Sequence, residues 1–197
     1  GILTLNRPEK RNSINTEVLV QFHELLDDIE GDDDIQIIVL RGGNGVFCTG
    51  MDLEGVVSNE ELSATQSPYL NLLKRLASID KVVIAEVDGT VMAGGMGLVA
   101  ASDLVFSTTR STFNLSEALW GLLPAMVTPF LIRRVGFHSA YRLTLTTETI
   151  SAAQAKEIHL VDELGDDIQS KIQAMSRRLC RLHPETIADL KAYFRKM

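Results

Sequence analysis

Three short apolar runs, Ile35 to Leu40 (IQIIVL), Val82 to Val87 (VVIAEV) and Asp103 to Thr108 (DLVFST), constrain this chain more than any other feature of it. Each is too short for a helix and is set off by glycine-rich or polar turns, so each reads as a buried β-strand. Between them the spacing becomes helical. Val18, Leu19, Phe22, Leu25, Leu26 and Ile29 recur at intervals of three and four behind a cap at Asn15 or Thr16, and Pro68 to Ser78 reads as a second helix. Gly1 to Leu5 (GILTL) reads as a strand without its beginning. Strands alternating with helices make the fold class α/β, with a helix-rich final third punctuated by Gly136 and Gly165. No linker, repeat or low-complexity tract divides the 197 residues, a length that suits one domain with its own core.

No apolar run approaches the roughly 18–20 residues that cross a bilayer, and the first residues lack the basic and apolar regions of a signal peptide. Cys48 and Cys180 are too few and too far apart in the chain for a disulfide scaffold, so a reducing cytoplasm is the simplest setting. The formal net charge of −7 argues against a nucleic-acid partner, whose phosphates call for clustered Lys and Arg. That charge is unevenly placed. From Ile168 to Met197 the basic residues Lys171, Arg177, Arg178, Arg181, Lys191, Arg195 and Lys196 face only Glu185 and Asp189. The segment reads either as a solvated helical face or as a landing patch for an anionic partner. His23, His138, His159 and His183 lack ligand spacing, so neither a metal nor another cofactor is expected.

Gly95-Met96-Gly97-Leu98-Val99-Ala100 satisfies the dinucleotide fingerprint G-x-G-x-x-G/A, but its context does not. The fingerprint opens directly after its strand and needs an acid closing the next one. Here seven residues separate Val87 from Gly95, and the next strand runs out into Thr108, Thr109 and Arg110. Glycine turns that open helices have another use, because free N–H groups at a helix start stabilise negative charge. Gly94 and Gly95 remove side chains that would bar close approach, and Phe47-Cys48-Thr49-Gly50-Met51-Asp52 is a second such turn. Two turns of this kind can aim one N–H apiece at a single oxygen, which is an oxyanion hole. Two tight turns with no ligand are the plain alternative.

Together with Asn6-Arg7-Pro8-Glu9-Lys10-Arg11-Asn12, Gly89-Thr90-Val91-Met92-Ala93-Gly94-Gly95, Asp103, Phe113-Asn114-Leu115-Ser116-Glu117 and Ile150-Ser151-Ala152-Ala153-Gln154-Ala155, that turn resembles the crotonase superfamily of enoyl-CoA hydratases and isomerases. The pieces occur in the right order over essentially the whole chain. The resemblance implies a crotonase-like spiral of ββα units over residues 1–136, carrying the active site, and a helical C-terminal trimerisation region over 137–197, in one continuous domain. It implies an oxyanion hole from the backbone N–H groups of Met51 and Gly94, with Gly50, Gly95, Gly97, Trp120 and Leu122 binding the acyl-pantetheine substrate. Glu117 matches one of the two catalytic glutamates of the hydratases, and the other position falls on Gly97.

The glycine turns, Asn114 to Ala125 and Pro129 to Gly136 most resemble the dehydratases of polyketide β-branching cassettes. Those enzymes convert a 3-hydroxy-3-methylglutaryl group on an acyl carrier protein to 3-methylglutaconyl thioester. A lone Glu117 can take the C2 proton and return it to the departing hydroxyl on one face, while the oxyanion hole holds the enolate. The apolar loop of Leu119, Trp120, Leu122 and Leu123, if it borders Glu117, raises its pKa by desolvation. A Δ3,Δ2-enoyl-CoA isomerase, a hydratase or decarboxylase of the same fold and a non-catalytic scaffold subunit are the alternatives. Retention of both glycine turns with Glu117 speaks against the scaffold. Cys48 and Thr49 are expected to pack behind the first turn, and with no His partner in the sequence Cys48 is not read as a nucleophile.

A distal carboxylate on the substrate calls for a donor or cation. Tyr69, Lys74, Arg75, His138 and Arg142 are candidates among which the sequence does not choose. The partner implied is an acyl carrier protein, or acyl-CoA, whose pantetheine phosphate meets Arg7, Lys10 and Arg11, with Lys171, Arg177, Arg178 and Arg181 available for docking. A homotrimer or dimer of trimers is implied as well. So are a full first strand before Gly1, helices after Met197 and further loop residues between Leu53 and Pro68.

Overall fold

A computed structural model describes residues 1–52 and 67–197, so the expectation of further loop residues after Leu53 lies outside the described residues. The apolar runs form the centre of a parallel sheet. Strands β1 (Ile2–Thr4), β2 (Ile37–Arg41), β4 (Val82–Val87), β6 (Leu104–Ser107) and β9 (Glu163–Leu164) pair in parallel in that order. The second strand starts two residues later than its apolar run, because Ile35 donates its N–H to the Asp32 carbonyl in a turn.

Three further strands escape the sequence reading: β3 (Val46–Cys48), β5 (Thr90–Met92) and β7 (Thr112–Asn114). At three residues each they are too short to show alternation. They lie in parallel, edge to edge, in a second sheet that β8 (Ile150–Ser151) completes antiparallel to β7. Each long strand turns a corner into a short one, and the corners interlock. A Cβ on Gly89 would lie 1.8 Å from the Gly45 carbonyl oxygen, so only glycine fits, and its φ of +103° also favours glycine. The Gly89 N–H donates to Ser111 Oγ at 3.0 Å. The chain therefore repeats a long strand, a corner, a short strand and a helix.

Helix α1 (Thr16–Glu30) is capped by Asn15, whose side chain accepts the Val18 N–H at 2.9 Å. It buries Leu19, Phe22, Leu26 and Ile29. Helix α2 (Pro68–Ser78) buries Tyr69, Leu72, Leu73 and Leu76, and α3 (Gly94–Ala101) is buried on every side. An all-apolar helix has nowhere else to go. Helix α4 (Thr128–Thr146) kinks at Gly136, where φ is +77°, and Leu131 before the kink and Ala140 and Leu143 after it enter the same core. Short α5 (Ala152–Glu157) follows β8. Helices α6 (Ile168–Leu179) and α7 (Pro184–Arg195) cover the other face of the larger sheet, with Ile168, Ile172 and Ile187 against Ile37, Val39, Val82, Ile84 and Phe106.

Part of the basic C-terminal charge is spent internally. Lys191 pairs with Asp103 at 2.6 Å and Lys171 with Glu163 at 3.2 Å, whereas Arg177, Arg178 and Arg181 are exposed. Arg134 is the main polar tie of α4. Its guanidinium, 10% exposed, donates to the Leu160 and Ser102 carbonyls and pairs with Asp162, which in turn accepts the Val105 N–H. Arg134→Met leaves those acceptors unmet and should lower unfolding stability by about 2–4 kcal/mol in urea denaturation. A loss under about 0.5 kcal/mol would mean that water replaces the guanidinium freely.

Candidate active site

The parallel register of the short strands decides what meets at their ends. Cys48 lies beside Val91, and Met92 beside Asn114. The residues that follow β3, β5 and β7 therefore leave the sheet on one edge. In parallel sheets that carboxyl edge is where ligands bind.

The first turn runs through Gly50 in the left-handed region, at φ +93°. Cys48 Sγ accepts the Gly50 N–H, Ile14 donates to the Gly50 carbonyl and Asp52 donates to the Ile14 carbonyl, both at 2.8 Å. Successive peptide groups alternate in direction, so the Met51 N–H points away from Ile14. The second turn places Ala93 at φ +47°, ψ −122°, a strained conformation that costs about 1–3 kcal/mol. Its N–H is held by the Asn114 carbonyl at 3.0 Å, and the Asn114 side chain is anchored to the Thr147 carbonyl at 2.8 Å.

These turns press together. A Cβ on Gly50 would lie 2.8 Å from the Gly94 nitrogen, and a Cβ on Gly94 would lie 3.4 Å from the Met51 nitrogen. Met51 and Gly94 line the same cavity, and neither backbone N–H has an acceptor among the described residues. Gly94 is also the first residue of α3, whose dipole adds positive potential there.

Glu117 opens a single 3-10 turn, Glu117–Trp120, three residues beyond β7. It shares a cavity of about 840 Å³ with Met51, Gly94, Trp120 and Leu122. Its Oε2 is buried with no hydrogen-bond partner among the described residues. Burial raises its pKa above the ordinary 4.5, against the opposing pull of the Glu117 and Ser116 backbone N–H groups. The apolar loop is itself open to solvent, with Trp120 76% and Leu123 86% exposed, and forms a rim over the cavity.

Several site expectations need correction. Gly50, Gly95 and Gly97 are buried behind the cavity wall and do not line it. A Cβ on Gly95 would lie 2.4 Å from the Cys48 carbonyl oxygen, so this glycine lets α3 seat against β3. Gly97 faces the phenol of Tyr69. Lys10 and Arg11 line the cavity, but Arg7 does not; its guanidinium turns inward to Asp52 at 2.8 Å and to Ser13. Asp52 and Glu9 also reach the wall, so Glu117 is not its only carboxylate, although Arg7 neutralises Asp52. Of the candidates for a distal carboxylate only Tyr69 lines the cavity. Arg75 is held by Asp27 and Glu30, Arg142 pairs with Glu148, and Lys74 and His138 are exposed elsewhere. Cys48 is buried and its thiol pKa is pushed up to about 12, which keeps it protonated. Thr49, expected behind the turn with it, instead reaches the cavity wall.

The stacked ββα units, with Met51, Gly94 and Glu117 on one cavity, define a class of fold that known proteins share. The enoyl-CoA hydratase/isomerase family profile matches residues 1–197. The chain belongs to that family, the crotonases, and is an enzyme of its hydratase and dehydratase class. It is 34% identical over 195 residues to the bacillaene synthase dehydratase PksH of Bacillus subtilis, covering 97% of this chain and 75% of the relative. The crystal structure of a polyketide biosynthesis enoyl-CoA hydratase (pksH) from Bacillus subtilis superposes with a TM-score of 0.89 at 34% identity, covering 98% of this chain and 78% of the other. The enoyl-CoA hydratase EchA19 of Mycobacterium tuberculosis is 31% identical over 188 residues, 88% of this chain and 68% of the relative.

The raised pKa of Glu117 has a thermodynamic sign. A carboxyl whose pKa rises on folding binds its proton more tightly in the native state, so stability falls as pH climbs from the unfolded value through the folded one. Glu117→Gln removes that penalty. The variant should unfold at higher urea concentration than the parent at about pH 8, with the advantage vanishing below about pH 4. A variant less stable than the parent at both pH values would contradict the desolvation of Glu117.

Proposed function

We propose that this enzyme removes water from a β-hydroxyacyl thioester, converting 3-hydroxy-3-methylglutaryl to 3-methylglutaconyl on an acyl carrier protein during polyketide β-branching. The observation that carries the reading is the buried Glu117 oxygen, unpartnered among the described residues, in the same cavity as two backbone N–H groups that find no acceptor among those residues. A PksH relative named as a dehydratase supports elimination over hydration.

The thioester oxygen sits between the Met51 and Gly94 N–H groups. There it lowers the acidity barrier at C2, because charge moving onto the oxygen meets donors already in place. Ionised Glu117 takes the C2 proton, and the electron pair delocalises onto the thioester oxygen. As that pair returns to form the C2–C3 double bond, the C3–O bond breaks. The departing hydroxyl takes the proton from Glu117, which restores the carboxylate and releases water. One residue acting on one face needs no second acid, in keeping with glycine at position 97. Trp120, Leu122 and Leu123 form the apolar rim of the cavity, and the burial of Glu117 itself keeps the carboxylate desolvated.

Lys10 and Arg11 on the cavity wall meet the phosphate of the pantetheine arm. Exposed Arg177, Arg178 and Arg181 attract an acidic carrier protein, and copies of the chain assemble as trimers through exposed apolar positions such as Phe137, Tyr141 and Leu145 of α4.

Mass spectrometry of carrier-bound 3-hydroxy-3-methylglutaryl thioester should register loss of water without loss of CO₂. Glu117→Gln should slow that loss by at least about 10²-fold. A double-bond shift in a 3-enoyl thioester in place of water loss would move the enzyme to the isomerases. Reversing charge at Arg177, Arg178 and Arg181 should slow turnover of the carrier-bound substrate at low salt and spare a short pantetheine thioester. An equal loss on both would remove the docking role.

A further inference from the structure

The phenol of Tyr69 is a buried polar group at the cavity wall to which the mechanism gives no role. It enters from the first turn of α2 and is 1% exposed; Tyr69 lines the cavity, and its hydroxyl donates to the Gly94 carbonyl. The place where a Gly94 side chain would begin is 3.3 Å from that phenolic oxygen and 3.4 Å from the Met51 nitrogen. The hydroxyl thus borders the space between the two N–H groups. Position 97 completes the arrangement: a Cβ there would lie 2.1 Å from the phenolic oxygen and 3.2 Å from Cζ. The phenol stands where any side chain at 97 would have to run.

We propose that Tyr69 is a positioning residue that fixes the Gly94 backbone for the thioester oxygen, and that Gly97 is the vacancy it requires. The inference rests on the oxyanion reading above and goes beyond it. Gly94 and Gly95 are adjacent, so this stretch of backbone has little conformational preference of its own. On one side it is tied through the Ala93 N–H to the Asn114 carbonyl, and on the other through the Gly94 carbonyl to Tyr69. The second tie comes from a helix in the core, so the N–H direction is set by packing of α2 against α3. A small error in that direction weakens a hydrogen bond that matters most when the oxygen becomes negative. The same phenol also bars a second acid from position 97. That makes one-carboxylate chemistry a property of the Tyr69 and Gly97 pair.

Tyr69→Phe removes the hydroxyl and keeps the ring. Expected is a fall in kcat of about 10- to 100-fold with KM within about threefold, because the clamp acts on the developing enolate more than on the bound ground state. A ¹³C=O-labelled, non-reactive acyl-pantetheine thioester gives a second readout. Its carbonyl stretch should move to lower frequency on binding the parent enzyme and by visibly less on binding Tyr69→Phe. Gly97→Ala, from behind the cavity wall, pushes the phenolic oxygen off the Gly94 carbonyl, so it should lower kcat in the parent and add little in a Tyr69→Phe background. It also serves alone if Tyr69→Phe does not fold. An unchanged kcat and carbonyl shift in Tyr69→Phe, with the parent shift present, overturn the role of Tyr69 and leave the oxyanion reading standing. No thioester binding to the parent overturns both.

Discussion

Parallel pairing of β3, β5 and β7 is the constraint from which the site follows. Strands paired in parallel all leave their sheet on the same edge, and a register that sets Cys48 beside Val91 and Met92 beside Asn114 brings three segments, 49–51, 93–94 and 115–117, to one spot. Interlocked corners at Gly45, Gly89 and Ser111 hold that register from the opposite end. Slipping one short strand by a single residue would reverse the direction of its peptide groups and turn an N–H away from the cavity.

The arrangement is costly in isolation. Among the described residues two N–H groups lack acceptors and a carboxyl oxygen is buried without a donor, and Ala93 sits in a strained conformation. Each is a liability for folding, and strained or unsatisfied groups cluster where function is sited. What offsets them is the core behind: α3 is buried on all sides, and Gly95 lets it approach the Cys48 carbonyl closely enough to leave no room for adjustment. Rigid packing turns unsatisfied groups into preorganised ones, since the donors need not reorient when charge develops.

Much of this was legible in the residues, and the failures have physical causes. Long apolar runs announced β2, β4 and β6, and helical spacing announced α1 and α2, because burial writes itself into consecutive side chains. The short strands were silent, since three residues are too few to show alternation, although the glycines of the turns that follow them stood out. Gly95 and Gly97 were assigned to substrate for a related reason. Sequence shows that a side chain has been removed but not which neighbour needed the space, and here the neighbours were the Cys48 carbonyl and the Tyr69 phenol. Arg7 misled through charge alone, because nothing in the chain order indicates that Asp52 folds back onto it.

The central claim is that Glu117 and the Met51 and Gly94 N–H groups act together on the hydrogens next to a thioester carbonyl. Hydrogen–deuterium exchange at C2 of a saturated acyl-pantetheine thioester, which has no hydroxyl to lose, tests it directly by NMR. The account predicts that in D₂O the enzyme exchanges one of the two C2 hydrogens well above the solvent rate. Exchange no faster than in buffer, with the thioester demonstrably bound, would contradict it.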